Sequence, residues 1–141
     1  MTAARLWLAA MALGAVTTVG AAPDALRGEQ IYVRCMACHA LASDRVGPRH
    51  CGLLGRRAGS VAGFAYSPAM KNSKLVWDEK TLDLFLQAPT QRVPGTAMTY
   101  DGVADPQQRQ DLIAYLKKAG QSQASRLEWA QACEALRRCP V

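Results

Sequence analysis

The chain has 141 residues, enough for one domain, and a formal charge of +6. The cations are scattered, and no run of lysine and arginine exceeds two. That pattern excludes a basic nucleic-acid arm and describes a solvated surface.

The first element reads as a secretory leader. Arg5 is its lone positive charge, Leu6 to Val19 an apolar stretch, and Gly20-Ala21-Ala22 a small-residue run suited to a signal peptidase. Residues 1–21 are therefore expected to be a signal peptide cut after Ala21, with an uncleaved anchor as the alternative. A membrane span needs about 20 apolar residues, more than this stretch supplies. Export places the mature chain in the periplasm, an oxidising compartment. No stable membrane insertion is expected after cleavage.

A first helix is predicted at roughly Pro23 to Cys35, with Asp24 at its N-terminus. It leads into Cys35-Met36-Ala37-Cys38-His39, the C-x-x-C-H pattern of c-type haem attachment. Two thiols two residues apart can add to the two vinyl groups of one haem. The next residue then offers an imidazole to the iron. The same residues could be a redox dithiol or half a zinc site. Zinc would want two more ligands at finger-like spacing, and a thioredoxin-like dithiol would want a βαβ context. Neither follows.

Residues 40–76 are punctuated by Gly and Pro and read as loop. Asp78 starts a helix through about Ala88, with Leu82, Phe85 and Leu86 on one face and Pro89 as its stop. Thr90 to Gly102 reads as loop. Asp105-Pro106 opens a helix to about Ala119, with Leu112, Ile113, Tyr115 and Leu116 inward and Gly120 at its C-cap. Ser125-Arg126-Leu127-Glu128 is a capping box, so residues 121–141 form a helical extension. Strand signals are poor, and the expected class is all-α. Short helices with long loops make a thin core, which a central haem would complete.

These features resemble the class I cytochromes c of the mitochondrial and α-proteobacterial type. The resemblance spans about Gly28 to Ala119, within an expected domain of residues 24–120. Its markers stand in family order. They are Gly28 to Cys35, Gly47-Pro48, Gly52-Leu53-Leu54-Gly55-Arg56, Gly63 to Ser67, Trp77, Val93-Pro94-Gly95-Thr96-Ala97-Met98, and Asp111 to Lys117. The resemblance implies the cytochrome c fold around one covalent haem c, attached through Cys35 and Cys38. It makes His39 and Met98 the iron ligands. The Pro48 carbonyl would accept from His39 and orient its ring. Arg56, Tyr66 and Trp77 would hydrogen-bond a buried propionate, with Thr96 donating near the same group. Gly28 would let the first helix touch the last at Tyr115.

The chain also departs from the family pattern. Phe85 stands where a Tyr usually hydrogen-bonds the Met sulfur. His50 replaces an apolar position, most often Leu. A structural role is expected for it, a second-ligand role being the alternative. Thr90, Gln91 and Ala97 are neutral where mitochondrial relatives carry docking lysines, while Arg34 and Arg57 remain basic.

Three cysteines remain beyond the haem motif. Cys133 and Cys139 lie about two turns apart on one predicted helix, too far to bridge. Family geometry brings the Cys51 loop near the extension. Cys133 lies mid-helix on the apolar side and can stay buried, whereas Cys139 beside Pro140 would be an exposed thiol, so Cys51–Cys139 is favoured over Cys51–Cys133.

The function implied is one-electron transfer, without catalysis, between membrane or periplasmic redox proteins that bind transiently. A monomer is expected, and nucleic acid is not a partner. The alternative is a haem peroxidase or gas sensor with a labile sixth ligand.

Overall fold

The computed structural model describes residues 20–121, which contain five α-helices and no strand. The leader and the C-terminal extension, with Cys133 and Cys139, lie outside the described residues. Among those described, no helix is long and apolar enough to cross a membrane.

Helix α1, Ala25–Tyr32, starts where sequence chemistry puts it. The Asp24 carboxylate accepts from the Leu26 and Arg27 amides at 2.7 and 3.4 Å. The helix is shorter than expected, because the chain tightens into a 3₁₀ turn at Cys35–Ala37. Helix α2, Pro68–Asn72, lies inside a stretch read as loop. Its local signal is Ser67 at the N-cap followed by Pro68 at the first helical position. Helix α3, Glu79–Gln87, is capped by Asp78 and Thr81 in a reciprocal box and buries Leu82, Phe85 and Leu86 as expected. Pro89 does more than stop it. It opens the one-turn helix α4, Pro89–Arg92, within the expected loop. Helix α5, Pro106–Gln121, runs through Gly120, which is therefore not its C-cap. Leu112, Ile113 and Leu116 are buried as expected, and Tyr115 is half-buried.

The core gathers Ile31 and Tyr32 from α1, Leu82, Phe85 and Leu86 from α3, and Leu112, Ile113 and Leu116 from α5. Trp77 joins it from a bend held by Gly55 N→Trp77 O and Trp77 N→Arg56 O at 2.8 and 2.9 Å. Arg109 ties α5 to α3. Its Nε donates to Asp83 at 2.7 Å and its Nη1 to the Val103 and Ala104 carbonyls.

Helices α1 and α5 cross with almost no gap at Gly28. A Cβ there would overlap the Asp111 carbonyl oxygen and lie 2.8 Å from the Tyr115 Cβ. Beside the crossing, the buried Asp111 carboxylate accepts from Arg27 Nε at 2.8 Å, Arg27 Nη2 at 3.0 Å, the Asp24 amide at 2.7 Å and Gln107 Nε2 at 3.1 Å. These donors, the Arg27 guanidinium foremost, hold its carboxyl down at about 2, against an ordinary 3.8. A depressed carboxylate stabilises the fold above its unfolded pKa and loses that contribution as pH falls through the folded one. Part of the acid unfolding is thus expected between about pH 4 and pH 2. Asp111→Asn should cost about 1.5–3 kcal/mol at neutral pH, from lost charge-assisted hydrogen bonds. It should also flatten stability across that acid window in denaturant titrations.

Candidate functional site: a haem attachment turn and its proximal loop

Cys35 and Cys38 sit on the 3₁₀ turn that leaves α1, closed by Cys38 N→Cys35 O at 3.1 Å and His39 N→Cys35 O at 2.8 Å. Cys35 is half-buried and Cys38 exposed. Burial pushes the Cys35 thiol up to about 11. A redox dithiol needs a thiol pushed the other way, toward thiolate. Among the described residues, no cluster of three or more His, Cys, Asp or Glu could hold a metal ion by itself. The zinc reading therefore has no second half there.

The following loop folds back on the turn. Gly47 N donates to Cys38 O at 2.8 Å, His50 N to Ala40 O at 3.0 Å, and Cys51 N to Leu41 O at 2.7 Å. This return path brings the Pro48 carbonyl to His39, with Nδ1 at 2.8 Å from the oxygen. A carbonyl can only accept, so Nδ1 carries the proton and Nε2 keeps its lone pair for a metal. Gly47 makes the approach possible, because a Cβ there would overlap the His39 ring at Cε1. Burial holds the His39 imidazole below its ordinary pKa, and the Pro48 carbonyl opposes that shift.

The remaining candidate residues lie on loops around the same core. The Arg56 guanidinium donates Nη1 to Cys51 O at 2.6 Å and Nη2 to Arg49 O at 2.8 Å. Desolvation lowers its pKa, and the nearby Tyr66 hydroxyl raises it. Tyr66 is half-buried with its ring edge on Phe64, centroids 4.7 Å apart. Trp77 is buried against Phe85 at 5.0 Å. Thr96 fixes the backbone before Met98, its hydroxyl oxygen accepting from the Met98 amide at 3.3 Å. Met98 is half-buried against the core, as is Tyr100.

Two residues of this site carry more than sequence reasoning assigned. Gly47 was read as a marker, but its work is to let the loop backbone reach His39. His50 stacks on His39, ring centroids 4.3 Å apart and planes 24° apart. Its Nδ1 meets the Tyr32 hydroxyl at 3.2 Å. Burial, with His39 and Arg56 nearby, pushes the His50 imidazole down to about 3.

The donor set fits one covalent haem: two thiols at the right spacing, a neutral imidazole held at Nδ1, and a thioether on a later loop. The family model for cytochrome c matches residues 25–120. This chain belongs to the cytochrome c family. It is 43% identical over 109 residues to cytochrome c2 of Blastochloris viridis, covering 75% of this chain and 86% of that one. It is 44% identical over 119 residues to cytochrome c2 of Rhodomicrobium vannielii, covering 82% and 95%. Among solved structures it is similar to cytochrome cH from Methylobacterium extorquens, with a TM-score of 0.66 and 43% identity, over 67% of this chain and 98% of that one. The cytochrome is an electron carrier with one covalent haem c, not an enzyme.

The Phe85 departure now has a place in this cytochrome. Phe85 is buried beside Trp77, with no hydroxyl to offer a thioether. The resemblance implies that Met98 binds the iron; on that reading, the hydroxyl of Phe85→Tyr should donate to the Met98 sulfur and withdraw density from it. Weaker donation disfavours ferric iron, so voltammetry should read a higher midpoint potential with haem attachment intact. An unchanged potential would mean that the hydroxyl points elsewhere.

Proposed function

We propose that this cytochrome is a periplasmic one-electron shuttle whose iron is held by His39 and Met98 in both oxidation states. The observation that carries the reading is the His39 Nδ1 contact with the Pro48 carbonyl at 2.8 Å. It leaves the lone pair of the other ring nitrogen available to a metal, and it would make the imidazole a stronger donor. The bound haem supplies the one-electron chemistry. The protein's own residues attach it, orient it and keep water away. Cys35 and Cys38 fix the porphyrin through thioethers. Gly47 and Pro48 set the proximal ring, and Thr96 sets the backbone that carries Met98. Arg56, Tyr66, Trp77 and Thr96 would hydrogen-bond a haem propionate. Its charge would otherwise be costly to desolvate.

The same reading includes cleavage of the leader after Ala21, a monomeric mature protein and a bridge from Cys51 into the extension. The free thiols among the described residues are Cys35 and Cys38, and Cys51 is not one of them. Cys139 is the favoured partner over Cys133, and non-reducing peptide mapping distinguishes the two. Neutral Thr90, Gln91 and Ala97 point to a partner less acidic than one that meets a lysine ring.

A peroxidase would want a distal acid–base residue. The chain has two histidines, and His50 is stacked on His39 itself. The ligation is tested by near-infrared absorption of the ferric protein at neutral pH. A weak sulfur-to-iron band is expected, with a single reversible one-electron wave. Absence of the band would reject Met98 as a ligand.

A further inference from the structure

We infer that His50 is a positioning residue that sets the orientation of the proximal His39 ring by stacking on it. The inference rests on His39 binding the iron. The Pro48 carbonyl holds one point of the His39 ring, Nδ1, at 2.8 Å. The Gly47 backbone lies close against the same ring, with no room for a Cβ. His50 adds a second flat ring lying nearly parallel to it, centroids 4.3 Å apart at 24°, which further limits turning.

His50 is itself held from behind. Its amide donates to Ala40 O at 3.0 Å. Its Nδ1 shares a 3.2 Å hydrogen bond with the Tyr32 hydroxyl. The Tyr32 ring meets it edge-on at 5.7 Å and packs against Tyr115 of α5 at 5.1 Å. Tyr32 is 3% exposed, so this hydroxyl cannot turn to bulk water for its partner. The ligand ring is thereby registered, through Tyr115, Tyr32 and His50, to the crossing of α1 and α5. A leucine could fill the volume. It would offer no flat face to His39 and no partner to Tyr32.

The orientation of an axial imidazole selects which iron d orbital carries the unpaired electron of low-spin ferric haem. It therefore fixes the spread of the electron paramagnetic resonance g-values and the order of the haem-methyl proton shifts. Neither readout depends on electron-transfer activity. In His50→Leu, the g-spread should change and the methyl shifts should reorder, while the near-infrared sulfur band persists. His50→Phe restores the flat face and should return the methyl order toward wild type. Tyr32→Phe removes only the hydrogen bond, and should move the shifts in the same direction by less.

Wild-type g-values and methyl order in His50→Leu would overturn the inference. If that variant does not accumulate, an unchanged pattern in Tyr32→Phe overturns it instead. A wild-type ferric protein without a low-spin signal would defeat the His39 ligation itself, which is a different failure.

Discussion

With Met98 as the proposed sixth ligand, Met98→Ala should lower the midpoint potential by a sizeable part of the roughly 0.8 V that axial ligands span. A thioether is a soft donor that favours ferrous iron, and water or hydroxide in its place favours ferric. The same variant should bind cyanide or carbon monoxide readily, because loss of the proposed ligand would open the sixth position. Voltammetry and ligand titration measure the two effects. The fold should survive, since Met98 is only half-buried on a loop whose backbone is held by Thr96. A variant that kept the near-infrared band and the wild-type potential would show that another residue is the ligand.

Gly28→Ala should be strongly destabilising. The added carbon would overlap the Asp111 carbonyl oxygen and press on the Tyr115 Cβ. Backbone cannot yield as a flexible side chain can, so the two helices must separate. Overpacking of this kind costs about 1–3 kcal/mol and occasionally more, a large share of the 5–15 kcal/mol typical of a domain. The same substitution at Gly120 is the internal control. Gly120 lies within α5, is exposed and, among the described residues, has nothing within 4 Å of an added Cβ. Gly120→Ala should gain up to about 1 kcal/mol from helix propensity. Denaturant unfolding of the two variants should therefore move in opposite directions. Equal midpoints would mean that the crossing is looser than it looks.

Separation of the helices at Gly28 would also disturb the Asp111 network and the Tyr32 ring. Fold and site share these residues. Tyr32 belongs at once to the core and to the chain of rings behind His39. A stability variant at the crossing should thus carry a secondary change in the haem-methyl shifts.

What could be read from the residues divides along a physical line. Asp24, Asp78 and Asp105-Pro106 marked three helix starts, because a cap acts on amides two or three residues away. The apolar face of α3 was legible for a similar reason: Leu82, Phe85 and Leu86 repeat at helical spacing. Helices α2 and α4 were missed. They are only five and four residues long, too short for any period to show. Gly120 misled because glycine permits a helix end without requiring one, and α5 continues to Gln121.

The sequence by itself determined the chemistry: C-x-x-C-H names its cofactor because thioether attachment and ligation are local acts of five adjacent residues. It also determined the family, through markers standing in order along the chain. Only the tertiary structure decided how the proximal ring is held. Resemblance pointed to the Pro48 carbonyl, but the reason Gly47 must lack a side chain is its distance to His39 across the fold. The stack of His50 on His39 depends on a loop returning over eleven residues, and the ring behind it comes from another helix. No periodicity encodes such a contact. It follows from where the backbone goes, and that is set by the crossing of α1 and α5.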